Sequence, residues 1–399
     1  MPRPGWRKPA SDRRLSDLVS VGVLTRTFPP ALVDEVVAGC QRTERRNRSL
    51  PARAMAYFSI GMALHAEGSY EDVLALLTDG LAWGSGEEPP SLPSKSAIFQ
   101  ARARLGAEPL AALFAKVAKP LGNESTPGAF LGGRRLLAID GTCLDVADTP
   151  DNAAFFGRPG VNKGEQAASP QARVVAVAEC GSHAMVDAAV GPYSAGENTL
   201  AAALIDRLQP GTLLLADREF CGFPLWSRAA ATGADLLWRA MSNMKPRFVE
   251  TLADGSWLAE LRPSGRKAEP LVIRVVDYRI EDGRHNDEEY RLFTTILDPD
   301  DVSARDLACA YPERWEIESA FDELKTHQRG PRTVLRSKSP ALVLQEVWGH
   351  LCCHYAIRTL MWAAADDAGV DPDRVSFVAA LRIARRSIPV ARDFAPSGR

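Results

Sequence analysis

The chain has 399 residues, 46% of them apolar, and a formal charge of −2, which suits a globular protein of roughly two or three domains with large cores. Seven cysteines fall without paired spacing, and Met1 is followed by the polar stretch PRPGWRKPA, so neither a disulfide framework nor secretion is expected. No apolar run approaches the roughly 18 residues of a membrane span, so no membrane partner is expected, and the chain reads as a protein of the reducing cytoplasm.

The near-neutral total hides basic ends. Residues 1–64 carry 11 Lys plus Arg against 5 Asp plus Glu, and the last 19 residues hold five arginines and one aspartate. Such ends suit a phosphate-rich partner, although solvated Arg-rich termini look the same. Across residues 14–120 the stretches LVDEVVAGC, PARAMAYFSIGMALHA, YEDVLALLTDGLAW and SKSAIFQARARLG show helical periodicity broken by Pro and Gly, so residues 1–130 read as an all-helical domain. SYEDVLALL followed by PSKSAIFQARARLG resembles a helix-turn-helix whose second helix exposes Gln100, Arg102 and Arg104. Lys95, Arg102 and Arg104 are therefore candidate DNA contacts. Two packed helices joined by a long Pro-rich linker would give the same pattern.

From residue 134 the period changes. RRLLAIDGT and QARVVAVAECGSHAMVDAAV contain short apolar, β-branched runs split by turn signals, which predicts three antiparallel strands. ENTLAAALIDRLQ then reads as a helix, TLLLADREF as a buried strand, FPLWSRAAATGA as a helix and DLLWRAM as a strand. Together these describe a mixed sheet with helices on its faces. Residues 242–298 hold the strand-like runs SWLAEL, PLVIRVVDYRI and YRLFTTIL between Gly-rich turns, a β-rich insertion. A helix over YPERWEIESAFDELK follows, then a long one through QEVWGHLCCHYAIRTLMWAA.

In the first of these helices Tyr311, Arg314, Glu318 and Lys325 fall within about 60° of arc, bordering the apolar face, while Glu313, Glu316 and Glu323 lie further round. A solvated edge of Glu and Arg pairs would look similar. The choice depends on LLAID and TLLLAD, each an apolar run ending on an aspartate, Asp140 and Asp217. If the two strands are neighbours, both carboxylates face one crevice at the strands' carboxyl ends. The alternative reading makes both of them turn-forming residues. Three carboxylates about 4 Å apart repel by something like 4 kcal/mol per pair, a repulsion that a divalent cation relieves. All-oxygen ligands suit Mg²⁺ or Mn²⁺, and two such ions serve in-line attack on a phosphodiester.

Tyr311, Arg314, Glu318 and Lys325 match the Y-x2-R-x3-E-x6-K signature of DDE transposases of the insertion sequence 4 family, and AIDGT and ADREF resemble its two aspartate motifs. The resemblance runs from LSDLVSVGVLTRTFPP to the signature helix. It implies an RNase H-like mixed sheet with a β-rich insertion, preceded by the helical DNA-binding domain. The core is then residues 131–241 and 299–370, the insertion 242–298, and 371–399 a short basic tail. It also implies that Asp140, Asp217 and Glu318 are the metal-binding catalytic triad and that Arg314 and Lys325 hold DNA phosphates. Tyr311 would position the backbone or cap its helix, and Arg218 would hold phosphate or make a structural ion pair.

The expected function is cut-and-paste transposition by metal-dependent hydrolysis and strand transfer, on double-stranded terminal repeats and target DNA. The expected assembly is a homodimer in the synaptic complex, at the bacterial nucleoid. The alternatives are a non-catalytic DNA-binding remnant and a nuclease without transposition. Relatives continue into a basic, dimer-forming region where this sequence stops at RDFAPSGR. His350, Cys352, Cys353 and His354 lie close in sequence but cannot all face one point, so zinc is not expected there. Trp257 is expected to pack as an ordinary hydrophobe, with stacking on an extruded base as the alternative.

Overall fold

A computed structural model describes residues 22–44, 50–85, 93–160, 167–263, 269–279, 289–331 and 333–386. The basic stretches at 1–21 and 387–399, and most of the Pro-rich linker after residue 85, lie outside the described residues.

Six helices come first: α1 (Gly22–Thr27), α2 (Pro30–Gly39), α3 (Ala52–Leu64), α4 (Tyr70–Ser85), α5 (Lys95–Leu105) and α6 (Glu108–Val117). The α3 sequence ARAMAYFSIGMAL is apolar nearly all round, and every residue but Arg53 is buried. A helix of that kind needs neighbours on all sides. One of them comes from the far end of the chain.

The sheet begins with β1 (Phe130–Leu131) and β2 (Arg134–Asp145). After α7 (Pro150–Phe156) come β3 (Gln171–Glu179), β4 (Met185–Pro192), α8 (Glu197–Ile205), β5 (Thr212–Ala216), α9 (Phe223–Ala230) and β6 (Asp235–Arg239). Strands β2, β3 and β4 pair antiparallel in sequence, and β5 lies parallel to β2 on one side and to β6 on the other. The order β4-β3-β2-β5-β6, with only β3 reversed, is the RNase H-like arrangement. The central parallel strand β5 is buried along Leu213–Ala216, as its unbroken apolar run requires.

The insertion supplies β7 (Arg247–Thr251), β8 (Trp257–Leu261), β9 (Leu271–Arg279) and β10 (Glu289–Thr294). Strand β7, with the mixed sequence RFVET and all five residues exposed, gives no alternation to read. The insertion is continuous with the catalytic sheet, because β10 pairs antiparallel with β6 and the order runs on through β9 and β8 to β7. Arg274, fully buried, ties it down with bonds to Ser256 Oγ, Asp254 and the carbonyls of Ile296 and Val302.

The chain then makes α10 (Ala304–Ala310), a 3₁₀ turn (Tyr311–Trp315), α11 (Glu316–Asp322), a π-turn (Glu323–Gln328), the 29-residue α12 (Pro340–Ala368), a 3₁₀ turn (Pro372–Arg374) and α13 (Phe377–Arg386). Helices α8 and α9 close one face of the sheet. On the other face, one core merges α1–α6 with α11, α12 and α13. Helix α12 crosses α3 where Gly349 stands, and a Cβ there would lie 2.6 Å from the Ser59 carbonyl. No described helix is long and apolar enough to cross a membrane.

Candidate active site

The register of β2 against β5 sets the geometry. Ile139 is paired with Ala216 in a parallel ladder, so Asp140 on β2 and Asp217, the first residue past β5, follow at neighbouring positions. Strand β2 does not end there, since it runs on to Asp145, and Asp140 therefore sits inside a strand that was expected to stop at it. One oxygen of each aspartate is engaged by backbone: Asp140 Oδ1 accepts from Gly141 N at 2.7 Å and Asp217 Oδ1 from Glu219 N at 2.6 Å. The turn-forming tendency of Asp is thus present, alongside a shared crevice.

Arg314 brings the third carboxylate. Its side chain, 8% exposed, donates to Glu318 Oε1 at 3.0 Å and lies 3.7 Å from Asp140 Oδ2. Burial raises Asp140 to about 6, with Asp217 and Glu318 adding to the rise while the Gly141 amide and Arg314 oppose it. The donor set is all carboxylate, and it is short of positive charge despite the arginine lodged in it. It fits a hard divalent cation.

The expected helix over 311–325 is broken into 3₁₀, α and π pieces, so Lys325 is not carried round by a regular 3.6-residue period. Its Nζ nevertheless reaches the crevice and donates to Thr142 Oγ1 at 3.1 Å, one strand residue beyond Gly141. Tyr311 stands at the C-cap of α10 and does not cap the helix that follows it, nor does it lie open to a DNA backbone. It is buried, and its hydroxyl donates to the carbonyl of Ala216 at 3.3 Å, which fastens the 3₁₀ turn to the end of β5.

Arg218 is exposed beside Asp217. It lines a cavity of about 710 Å³ with Arg239, Tyr278, Tyr290 and Arg291, between the core and the insertion. Tyr278 and Tyr290 stack at 5.1 Å there. Trp257 donates through Nε1 to Asp277 and packs on Phe248, an ordinary structural role.

The helix-turn-helix candidates divide. Lys95 is exposed, 3.6 Å from Glu71, and Arg104 lies 3.6 Å from Glu44. Arg102 is fully buried, not exposed as expected. It bonds Gln345 Oε1 at 2.9 Å, Tyr70 Oη at 2.5 Å and Ser337 Oγ at 3.3 Å, and so serves as a tie between α5 and α12. Helical spacing could not reveal this, because the face that looks polar in isolation is covered by a segment about 240 residues away.

The His and Cys of α12 are divided among separate partners. His350 meets Gln328, His354 meets Glu323, and Cys352 meets the Leu110 carbonyl. The placement of two acidic residues, one beside the crevice and one on the opposite side of α11, escaped sequence reasoning. Glu197, at the start of α8, crowds Gly141 so closely that a Cβ there would fall 2.6 Å from its carboxyl carbon, and it is bound by Arg173 at 2.6 Å. Glu316, which its place on the helix wheel leaves on the far side from Glu318, meets buried His183 at 2.7 Å. The acidic residue that ends the SAGE stretch was the only available signal for the first, and there was none for the second.

Comparison with known proteins agrees with the geometry. Residues 18–115 match the insertion element 4 transposase N-terminal family, and residues 131–356 match the transposase DDE domain family. Transposase InsG for insertion sequence element IS4 of Escherichia coli (strain K12) is 31% identical over 372 residues, covering 92% of this chain and 83% of its own. The cryo-EM structure of a piggyBac transposase synaptic complex with hairpin DNA aligns with a TM-score of 0.47 at 10% identity over 94% of this chain and 82% of that one, a likeness too slight to add weight. The DDE match alone spans more than half of the residues and contains both strand aspartates and the signature helix, and on these matches the chain belongs to the insertion sequence 4 family of DDE transposases, DNA-cleaving enzymes that depend on divalent metal.

Proposed function

We propose that this transposase works by cut and paste, with Asp140, Asp217 and Glu318 holding two Mg²⁺ or Mn²⁺ ions at the ends of an insertion sequence. The observation that carries this reading is the parallel register of β2 and β5, which sets two aspartates side by side with Arg314 delivering Glu318 to them. Bound ions of this kind activate a water for attack on the scissile phosphodiester and stabilise the leaving oxygen.

The protein's own groups do the rest. Arg314, now lodged between two carboxylates, is released to grip a DNA phosphate with its planar fork once those carboxylates are otherwise neutralised. Lys325 offers a point charge from the other side of the crevice, and Arg218 offers one toward the insertion. Tyr311 holds the end of β5 so that Asp217 keeps its place. Hydrolysis frees a 3′ hydroxyl, which then attacks a target phosphodiester in the same site; one new P–O bond forms as one strand bond breaks.

In this reading the helical region 1–130, with Lys95 and Arg104 on its surface, recognises the terminal repeats. Residues 131–241 and 299–370 form the core, with 242–298 inserted, and of the expected tail 371–399 the helix α13 packs back into that core. Two copies assemble on double-stranded DNA at the bacterial nucleoid. The deciding variant is Glu318→Gln, which keeps size and hydrogen bonding but removes charge. Cleavage and strand transfer on element-end DNA should fall by orders of magnitude while DNA binding persists. Full cleavage by this variant in Mg²⁺ would overturn the assignment of the third ligand.

A further inference from the structure

On the side of α11 away from the crevice, one imidazole joins four segments. His183 lies in the Cys180–Ala184 turn between β3 and β4, and its side chain is 7% exposed. Nε2 stands 2.7 Å from Glu316 Oε2 and 2.8 Å from Asp373 Oδ1, with its N–H aligned on neither. Nδ1 stands 2.7 Å from Arg358 Nη2 on α12. Arg358 in turn binds Glu323 with two nitrogens, one of them at 2.8 Å. His183 holds φ 54, one of two non-glycine residues with positive φ among the described residues. Such a conformation is uncommon for a residue with a Cβ and persists where its surroundings fix it.

A His with two carboxylates could also suggest a cation site. Arg358 can only donate, so in the neutral ring it engages the lone pair at Nδ1 and the proton resides on Nε2. In the charged ring Nε2 is protonated as well. In both forms the atom between the carboxylates is a donor and is closed to a metal.

The consequence concerns Glu318. Helix α11 has seven residues, entered from a 3₁₀ turn and left through a π-turn, so no regular ladder outside it fixes its rotation. Glu316 lies two residues before Glu318, about 200° round the helix. Holding Glu316 on His183 therefore turns Glu318 toward Asp140. Through Arg358 the same ring reaches Glu323, at the other end of the helix, and closes a loop Glu316–His183–Arg358–Glu323 along it.

We propose that His183 is a positioning residue for Glu318, setting the rotation of α11 through Glu316 and Arg358 and making the Pro372–Arg374 turn part of the support of the catalytic crevice. This rests on the reading of Glu318 as a metal ligand. The test is calorimetric titration of the full-length chain with Mn²⁺ alone, comparing His183→Gly, His183→Gln, Glu316→Ala and Glu318→Gln. Glycine accepts the positive φ, so His183→Gly removes the imidazole and relieves the backbone together. It should weaken Mn²⁺ binding about 10–100-fold, the usual cost of losing a partner behind the ligands, with the melting temperature kept. Glutamine places an N–H donor near the position of Nε2 and should restore most of the affinity. Wild-type Mn²⁺ affinity in His183→Gly overturns the proposal, as does equal loss in both His183 variants. Should His183→Gly fail to fold, Glu316→Ala decides: weakened binding supports the staple, and wild-type binding overturns it. Glu318→Gln reports separately, since unchanged binding there would overturn the ligand assignment and not the staple alone.

Discussion

Asp140 is the residue on which the electrostatics of the crevice turn. Its carboxyl, lifted by burial and by two acidic neighbours to about 6, keeps a proton in the folded chain at pH values where the unfolded chain has lost it. Stability of the metal-free protein therefore falls as pH rises from about 4 through about 6. Above that window the ionised group costs something on the order of 1–3 kcal/mol. Asp140→Asn should raise the melting temperature in chelator at pH 7–8 and leave it nearly unchanged at pH 4; equal shifts at both would remove the electrostatic account. Arg314 and Lys325 share one sequence signature but differ in burial. Arg314→Ala leaves two carboxylates facing one another without the buried charge between them, and should lower stability by about 2–4 kcal/mol as well as abolish cleavage. Lys325→Ala, at an exposed position, should keep the melting temperature and lose cleavage only.

At the scale of elements, the decisive features are those where helices meet. The YPERWEIESAFDELK segment has the composition of a single helix, yet Tyr311 bonded to β5, Arg314 drawn toward Asp140 and Glu323 drawn toward Arg358 pull it into three pieces. Local propensity cannot foresee this, because each tether ends on a distant residue. Helices α3 and α12 show the reverse case. Gly349 within a long apolar helix had a packing reason invisible in the sequence, the close approach of the Ser59 carbonyl. Gly349→Ala should lower the urea midpoint by an amount corresponding to about 1–3 kcal/mol, since backbone cannot step aside as a flexible side chain can. An unchanged midpoint would mean that the two helices separate at little cost.

Across the whole molecule the helical region and the catalytic region share one core. Helices α1–α6 contribute to the same buried cluster as α12 and α13, and Arg102 ties α5 to Gln345. Residues 1–130 expressed alone should therefore show no cooperative thermal transition by circular dichroism, whereas the full chain should show one; a sharp transition in the fragment would establish an autonomous domain. DNA binding by the full chain should weaken with salt at a slope of about −0.9 in log K against log salt for each neutralised phosphate.

What the sequence determined by itself was most of the order of elements and a candidate acidic set. The unbroken apolar runs in LLAID and TLLLAD and the spacing of Tyr311, Arg314, Glu318 and Lys325 are local, and local patterns survive without knowledge of neighbours. Tertiary structure alone decided which residues those patterns meet. Parallel pairing of β2 with β5 turned two separate aspartates into one crevice. The covering of α5 by α12 turned Arg102 from a presumed DNA contact into a buried tie. The turn that carries His183 gave Glu316, idle on a helical wheel, a buried imidazole as its neighbour. Each of these is a contact between residues far apart in the chain, and burial, charge pairing and close approach exist only once the chain has closed on itself.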